Sequence, residues 1–130
     1  MSKIKDFLKE TGVFFMATVD GDQPRLRPLG AFLEEDDKLI FGVGDFKNVY
    51  RQMQANPKVE IVACKPDGHW LRYTGTTVFE TDEKYAQQMI GAFHLEMIYN
   101  EETGNKLMTF HIEDATAVEI AVMGEGVSLL

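Results

Sequence analysis

The sequence predicts a mainly β fold: one domain over residues 1–130, in which about six antiparallel strands form a small barrel with flanking helices. Three observations predict this class. Segments rich in β-branched and aromatic residues recur along the chain, turn residues separate them, and helical periodicity is confined to a few places before and between them. Strands that follow one another across short turns pair as antiparallel hairpins, whereas a parallel sheet needs a long crossover between its strands. A small antiparallel barrel is therefore favoured over a parallel α/β sheet.

The chain opens with a short helix that is followed by strands. Ser2 is suited to cap this helix and Gly12 to end it. The apolar side of the helix consists of Ile4, Phe7 and Leu8. The Asp20-Gly21 pair indicates a hairpin turn, and the acidic run at residues 34–37 indicates a second, solvated turn. Three strands are predicted around these turns, at residues 13–19, 24–34 and 38–43.

The stretch from residue 39 to residue 58 combines the end of a strand, a turn and a helix. Residues 42–44 supply the turn, Asp45 is placed to cap the helix, and Pro57 closes it. The apolar face expected on this helix consists of Phe46, Val49, Tyr50 and Met53. Lys47 then lies in the first turn, where unpaired backbone N–H groups and the helix dipole favour an anion such as phosphate. The alternative is an ordinary surface helix whose polar residues face water.

The second half of the chain adds further β segments and one more helix. The β segments are predicted at residues 59–65, 70–80 and 107–120. The helix opens at residues 81–83 with acidic residues in its first turn and ends near Asn100. Its apolar stripe consists of Tyr85, Ala86, Met89, Ile90, Phe93 and Met97. The last β segment forms one or two strands, interrupted at Asp114, and a weakly specified tail follows it.

The composition disfavours two classes of partner. With 21 Asp and Glu against 13 Lys and Arg the net charge is −8, which disfavours nucleic acid and anionic membrane surfaces. No apolar run approaches the roughly 20 residues of a membrane span, and the opening MSKIKDFLKE lacks the apolar core of a secretory signal. We therefore expect a cytoplasmic protein. The single cysteine, Cys64, leaves no internal disulfide and lies in an apolar run, so a buried structural thiol is expected.

Several enzyme classes lack the residues that they need. The only serines, Ser2 and Ser128, lie near the two ends of the sequence, so a Ser-His-Asp hydrolase has no credible nucleophile. The three histidines lie on separate predicted elements without the close spacings of zinc motifs, and no metal site is predicted. Residues 42–44 resemble the start of a dinucleotide-binding fingerprint, but its third glycine and its βαβ setting are missing.

Three basic residues and one aromatic residue are candidates for ligand contacts. Arg25 and Arg27 alternate along the second predicted strand, so period-2 geometry places both on one face. They either bind an anion or lie in solvent and pair with the abundant carboxylates. Arginine matches phosphate with a bidentate fork, and Lys47 adds a point charge, so the three cations together outline a phosphate cradle. The only tryptophan, Trp70, is either a core or dimer-interface aromatic or a contact to an aromatic ligand.

Four segments, taken in their order along the chain, resemble the pyridoxamine 5′-phosphate oxidase-like FMN-binding proteins of the split β-barrel fold. They are the arginine-containing second strand, the strand–turn–helix with Lys47, the NPKV segment at residues 56–59 and the WLRYTG strand that begins at Trp70. The resemblance covers residues 13 to 80 of the sequence. It implies an antiparallel six-stranded split β-barrel that binds FMN.

The resemblance also implies which residues contact FMN. By position these are Arg25, Leu26, Arg27, Pro28, Phe41, Gly42, Lys47, Asn48 and Trp70. Asn48 stands where the family has a second basic residue, and Trp70 stands where the oxidase typically has glutamine. Members are usually homodimers with two FMN sites between the subunits, and we expect the same here. The C-terminal sequence HIEDATAVEIAVMGEGVSLL does not match the substrate-binding end of the oxidase, so a shorter general flavin-binding relative is expected instead of the vitamin B6 oxidase itself.

The activity that this predicts is an FMN-dependent oxidoreductase, which passes electrons from a reduced nicotinamide or similar donor to a small acceptor. The flavin would supply the redox chemistry, so no side chain is assigned as a catalytic acid or base. Two alternatives stay open. A flavin-binding or flavin-storing protein, or a redox sensor, would bind the same cofactor without turnover. A haem or deazaflavin binder would keep the same barrel, with His69 or His111 as a candidate axial ligand for haem.

Overall fold

The described part of the chain, residues 2–124 and 126–130 of this computed structural model, forms three helices and eight strands. The helices are α1 (Ser2–Thr11), α2 (Asn48–Ala55) and α3 (Lys84–Ala92). The strands are β1 (Phe14–Asp20), β2 (Gln23–Leu29), β3 (Phe32–Glu35), β4 (Lys38–Gly44), β5 (Lys58–Cys64), β6 (Trp70–Phe79), β7 (Leu107–Ile120) and β8 (Gly126–Ser128). They pair antiparallel in one sheet of order β2-β1-β5-β6-β7-β4-β3, with β8 paired to β7.

The sheet curls until its two edges approach each other. β2 and β3 stand at opposite ends of the strand order, yet only Gly30 and Ala31 connect them. A connection of that length spans at most about 11 Å between Leu29 and Phe32. Close to this seam, the ring of Phe32 lies 6.2 Å from the ring of Phe14 on β1. The predicted fold class, a mainly β split barrel with antiparallel strands and flanking helices, is therefore confirmed.

A hydrophobic core fills the inside of the curl, and the helices cover it. Its largest rings come from β1, β4, β6 and β7: Phe14, Phe41, Tyr73 and Phe110. The helices α1 and α2 pack onto this core with Ile4, Phe7, Leu8, Val49 and Met53. The helix α3 packs onto a second buried cluster made of Ile40, Tyr85, Met89 and Leu107. Burial of these apolar and aromatic side chains is the main stabilising contribution to the fold.

The sheet has two strands more than predicted. The stretch at residues 24–34 is two strands instead of one, because the chain turns at Gly30 and Ala31 and crosses to the opposite edge of the sheet. The other additional strand, β8, lies in the predicted tail and pairs with the end of β7. Glu125, which also belongs to that tail, lies outside the described residues.

The strand β7 carries a bulge where the sequence predicts an interruption. Asp114 has a φ of 50°, and the residues at 114 and 115 together lie opposite Gly75 alone. Two residues facing one define a β-bulge, which bends a strand without ending it. A Cβ atom at Gly75 would lie 2.7 Å from the carbonyl oxygen of Glu113, so the partner strand needs glycine at this position.

The helix α2 begins two residues later than predicted. Its N-cap is Lys47 instead of Asp45, and Asn48 is its first residue. The carboxylate of Asp45 accepts a hydrogen bond of 3.0 Å from the backbone N–H of Lys106 instead. Phe46, expected on the apolar face of the helix, therefore lies outside the helix and is exposed.

Two further predictions on local structure are wrong. The helix α3 ends at Ala92 instead of near Asn100, because His94 has a φ of 56°, a left-handed conformation that a helix does not continue through. Met97, expected on its apolar stripe, is consequently 90% exposed. Cys64 is exposed instead of buried, because it is the last residue of β5 and falls on the outward side of the strand's alternation.

The longest of the described helices has 10 residues, and none of them is long and apolar enough to cross a membrane.

Candidate functional site

A cavity in the split of the barrel collects most of the residues that were predicted to contact a ligand. It lies between the edge strand β2, the end of β4 and the start of α2, and its volume is about 890 Å³. Seven of the nine predicted residues line it: Arg25, Leu26, Arg27, Pro28, Gly42, Lys47 and Asn48. β2 and β4 stand five places apart in the strand order. The curl of the sheet is therefore what brings these residues to one site.

The other two predicted residues lie elsewhere. Phe41 is fully buried in the core, where its ring lies 5.7 Å from the ring of Phe110, so it supports the cavity wall from behind. Trp70 lies at the start of β6, away from the cavity lining. The guanidinium carbon of Arg72 lies 4.9 Å from the centre of its ring. Within one chain, Trp70 is thus paired with an arginine on the sheet and does not join the site.

Arg27 is a partly buried cation that is held only by neutral groups. Its Nη1 donates hydrogen bonds to the carbonyl oxygen of Met16 at 3.1 Å and to Thr18 Oγ1 at 2.7 Å. Its Nη2 donates to Gln52 Oε1 at 2.8 Å. Burial lowers the pKa of the Arg27 guanidinium, although arginine stays charged at any ordinary pH. A partly buried charge without a counterion is unfavourable, so the position is suited to an anionic ligand.

Arg25 differs from Arg27 although both line the same cavity. Its Nε lies 3.0 Å from Asp20 Oδ2 in an ion pair. The side chains of this pair are 52% and 46% exposed, and exposed ion pairs contribute little to stability. The sequence left open whether these arginines pair with carboxylates or bind an anion. The structure separates them, because Arg25 has an acidic partner and Arg27 has three neutral ones.

Lys47 and Asn48 form the start of α2 at the cavity wall. The backbone N–H of Lys47 donates to the carbonyl oxygen of Gly44 at 3.1 Å, which fixes the turn between β4 and the helix. The ammonium nitrogen of Lys47 lies 5.9 Å from the centre of the Phe46 ring. Asn48 Oδ1 accepts a hydrogen bond of 2.9 Å from Arg51 Nη1. Both residues line the cavity, and their contact with a phosphate stays a prediction.

Eight lining residues were not identified as ligand contacts from the sequence, among them Arg51, Gln52 and Tyr99. Arg51 follows Lys47 by four residues, so helical periodicity alone signals that the two share a face. Gln52 gives no such signal, because its role depends on Arg27 reaching it from another strand. Tyr99 lies beyond α3, in a segment that was predicted to be helical. Burial is the main cause that raises the pKa of its hydroxyl.

Close packing of aromatic side chains explains a glycine at the end of β4. A Cβ atom at Gly44 would lie 2.6 Å from the ring of Phe46 and 2.9 Å from the hydroxyl oxygen of Tyr99. The two rings lie 6.3 Å apart. Tyr99 lines the cavity, Phe46 packs beside it, and only glycine at residue 44 leaves room for both rings.

The cavity is cationic in an acidic chain. Its lining holds four basic side chains, Arg25, Arg27, Lys47 and Arg51, against the single carboxylate of Asp20, whereas the whole chain has a net charge of −8. A cluster of one sign raises the local concentration of oppositely charged ligands. Arginine forks and a lysine are the donors that proteins use for phosphate. These residues therefore fit the phosphate end of a flavin mononucleotide.

The candidate haem ligands lie outside this cavity. His69 Nδ1 lies 3.0 Å from Glu119 Oε2. His111 contacts two carboxylates, with Nδ1 at 2.5 Å from Glu80 Oε1 and Nε2 at 2.7 Å from Glu113 Oε2. Both rings are thus engaged in polar contacts of their own. Among the residues that the structure describes, no group of His, Cys, Asp and Glu is arranged to hold a metal ion.

Comparison with known proteins identifies relatives over almost the whole chain. Residues 1–123 match the family model described as pyridoxamine 5′-phosphate oxidase. A NimC/NimA family protein from Clostridium acetobutylicum is 32% identical, with a TM-score of 0.88 over 98% of this chain and 90% of that one. No match was found among curated proteins.

Two more distant structures share the fold and are described by what they bind. A protein from Mesorhizobium loti described as FAD-binding is 15% identical, with a TM-score of 0.60 over 92% of this chain and 94% of that one. A heme-binding protein from Mycobacterium smegmatis is 13% identical, with a TM-score of 0.71 over 94% of this chain and 54% of that one. At these identities the likeness concerns the fold.

Proposed function

We propose that this chain, which belongs to the pyridoxamine 5′-phosphate oxidase family, is an FMN-binding flavoprotein that passes electrons from a reduced nicotinamide or similar donor to a small acceptor. The observation that carries the proposal is Arg27. Its guanidinium lies in the wall of the cavity with three neutral acceptors and no carboxylate among its described partners. A phosphate monoester would supply the missing negative charge.

The lining residues divide into those suited to the phosphate and those suited to the rest of the cofactor. Arg27 and Lys47 present cationic donors, and Arg25 is held back by its ion pair with Asp20. The backbone at residues 26–28 and at Gly42 presents peptide groups to the cavity. When bound, the flavin supplies the redox chemistry, while the protein binds it, orients it and tunes its electrostatics.

We further propose that two copies of the chain associate through the outer face of the sheet. In the strand register Pro28, Phe15, Val62 and Arg72 lie side by side on neighbouring strands. Leu26, two residues before Pro28, is 67% exposed, and Phe15 is 44% exposed. Exposed apolar groups of this kind mark interaction surfaces. Trp70 shares this face with Arg72, two residues along β6, so Trp70 would lie on the side of the sheet that associates.

The absorption spectrum of freshly purified protein tests the cofactor, together with mass spectrometry of whatever heat releases. We expect flavin bands and the mass of FMN. A Soret band without flavin bands would overturn the FMN proposal in favour of haem, a reading that one structure with this fold suggests. Release of FAD or a deazaflavin would correct the identity of the cofactor.

Redox turnover needs a separate test, because a storage protein or a redox sensor would also bind FMN. Among the described residues the cavity lining contains no histidine or cysteine, and hydride transfer to a flavin needs no side-chain base, so the lining is compatible with both readings. The measurement is anaerobic reduction of the bound flavin by NADH or NADPH, followed by reoxidation with a panel of acceptors. We expect reduction and acceptor-dependent reoxidation. If no donor in a broad panel reduces the bound flavin, a protein that binds or stores flavin without turnover is favoured.

A further inference from the structure

Arg51 faces the candidate FMN cavity one helical turn after Lys47. Both residues line this cavity, Lys47 from the N-cap of α2 and Arg51 from within the helix. Arg51 also lines an adjacent smaller cavity of about 330 Å³, together with Asp20 and Gln52. Its guanidinium therefore stands where the main cavity opens toward the β1–β2 turn.

Asn48 orients this guanidinium without neutralising it. Arg51 Nη1 donates a hydrogen bond of 2.9 Å to Asn48 Oδ1, and an amide oxygen carries no charge. The ion pairs among the described residues include Arg25 and Arg72, whereas Arg51 forms none of them. The remaining donors of the Arg51 guanidinium are thus available to a ligand.

The spacing of Lys47 and Arg51 also requires an explanation. Two like charges that line one cavity repel each other, and this acidic chain has 21 carboxylates with which such charges could have been paired. An anion between the two cations would relieve the repulsion. Lysine would contribute a point charge to it and arginine a planar fork of donors.

We infer that Arg51 is a phosphate-binding residue of this cavity, positioned by Asn48, and that it makes the site prefer a phosphorylated flavin over an unphosphorylated one. The inference rests on the proposed FMN function. The family resemblance did not identify Arg51 as a ligand contact. Asn48, which the resemblance placed at the phosphate, would act by positioning Arg51.

The experiment compares FMN with riboflavin, which has the same ring system and no phosphate. Flavin-free full-length protein is titrated with each, following quenching of flavin fluorescence. For Arg51→Gln we expect the Kd for FMN to rise roughly 10- to 100-fold, the range for one hydrogen bond to a charged group, while the Kd for riboflavin stays within about twofold. Asn48→Ala keeps the positive charge of Arg51 and removes only its hydrogen-bond partner. It should therefore weaken FMN binding less than Arg51→Gln does.

The control is Lys9→Gln, which removes one positive charge from the exposed side of α1, away from the cavity lining. It should leave both titrations unchanged. An unchanged FMN titration for Arg51→Gln, or an equal loss for FMN and riboflavin, would overturn the inference while leaving the proposed function standing. Failure of the unmodified protein to bind FMN would overturn both, and the two failures are thus distinguishable.

Discussion

The two faces of the β1–β2 hairpin are built from alternate residues of the same strands and have opposite character. On the inner face Arg27 reaches Thr18 and Gln52 and helps to form a cationic cavity. On the outer face Phe15 and Leu26 leave apolar surface exposed. Period-2 alternation makes this possible, because neighbours in a strand point to opposite sides of a sheet. One short strand thus has a charged side that lines the cavity and a side that leaves apolar surface exposed.

Because they lie on opposite sides of the hairpin, the cationic inner surface and the apolar outer surface can be altered separately. A change on the inner face should affect flavin affinity and leave association intact, whereas a change on the outer face should act first on association. The predicted residues divide in the same way, since Arg27 and Lys47 belong to the inner cavity and Trp70 belongs to the outer face.

Replacement of Arg27 by alanine should have the largest effect on the inner face. It removes a charged fork from the cavity wall, and the loss of two charged hydrogen bonds to phosphate corresponds to roughly 100- to 10,000-fold weaker FMN binding. Isothermal titration with FMN measures the effect. Arg27→Lys is the matched control. It keeps the positive charge, so its affinity for FMN should lie between those of the unmodified protein and the alanine variant. An alanine variant with wild-type affinity would remove Arg27 from the site.

Replacement of Phe15 by glutamate should act on the outer face, because Phe15 does not line the cavity. A carboxylate buried without a partner costs several kcal/mol, so we expect the dissociation constant of the homodimer to rise about 100-fold or more. Sedimentation velocity over a dilution series measures this. Because Phe15 is 44% exposed in one chain, the far-ultraviolet circular dichroism of the variant should match that of the unmodified protein. If the unmodified protein is already monomeric at all concentrations, the dimer proposal is wrong.

Replacement of Lys47 by alanine should have an intermediate effect on the inner face. One charged hydrogen bond is lost, which corresponds to roughly 10- to 100-fold weaker FMN binding. Riboflavin binding should change much less, since lysine is assigned to the phosphate. The ratio of the two dissociation constants is the readout. A variant that loses both ligands equally would argue for a role of Lys47 in the fold of the helix start.

Replacement of Asp20 by asparagine should have the smallest effect on FMN affinity, and it should strengthen binding instead of weakening it. Asp20 is the only carboxylate lining the cavity among the described residues, and it holds Arg25 in an ion pair. Removing its charge frees Arg25, so FMN should bind about two- to fivefold more tightly, in line with the modest energy of an exposed pair. The matched control is Asp22→Asn on the same turn. Weaker FMN binding in Asp20→Asn would show that Asp20 itself supports the ligand.

Local patterns in the sequence were enough to predict the inner face. The alternation of Arg25 and Arg27 follows from the period of a strand, and the presence of a helix beside Lys47, though not its first residue, follows from the period of a helix. That these segments meet was implied by the family resemblance and depends on the curl of the sheet. Whether each arginine has a carboxylate partner could not be predicted, because Arg25 has Asp20 across the turn whereas the neutral partners of Arg27 come from β1 and α2.

The errors in the predicted strand and helix bounds also arise because the local sequence does not contain the contacts that decide them. The turn at Gly30 was missed because a single glycine after Pro28 and Leu29 also fits the interior of a strand. The start of α2 was misplaced because Asp45 bonds to Lys106, which is 61 residues away in the sequence. Contacts between residues far apart in the chain override local preferences, and no local pattern reveals them.

The two-residue link between β2 and β3 gives the split of the barrel a further consequence. Among the described strands β2 pairs with β1 alone, and the cavity separates it from the end of β4. A cofactor that contacts both β2 and the end of β4 would hold the edge strand β2 to the opposite end of the sheet. At 100 times its Kd it would add about 2.7 kcal/mol to the free energy of unfolding. Amide hydrogens of β2 should then exchange far more slowly in the loaded protein, whereas those of the central strand β6 should change little.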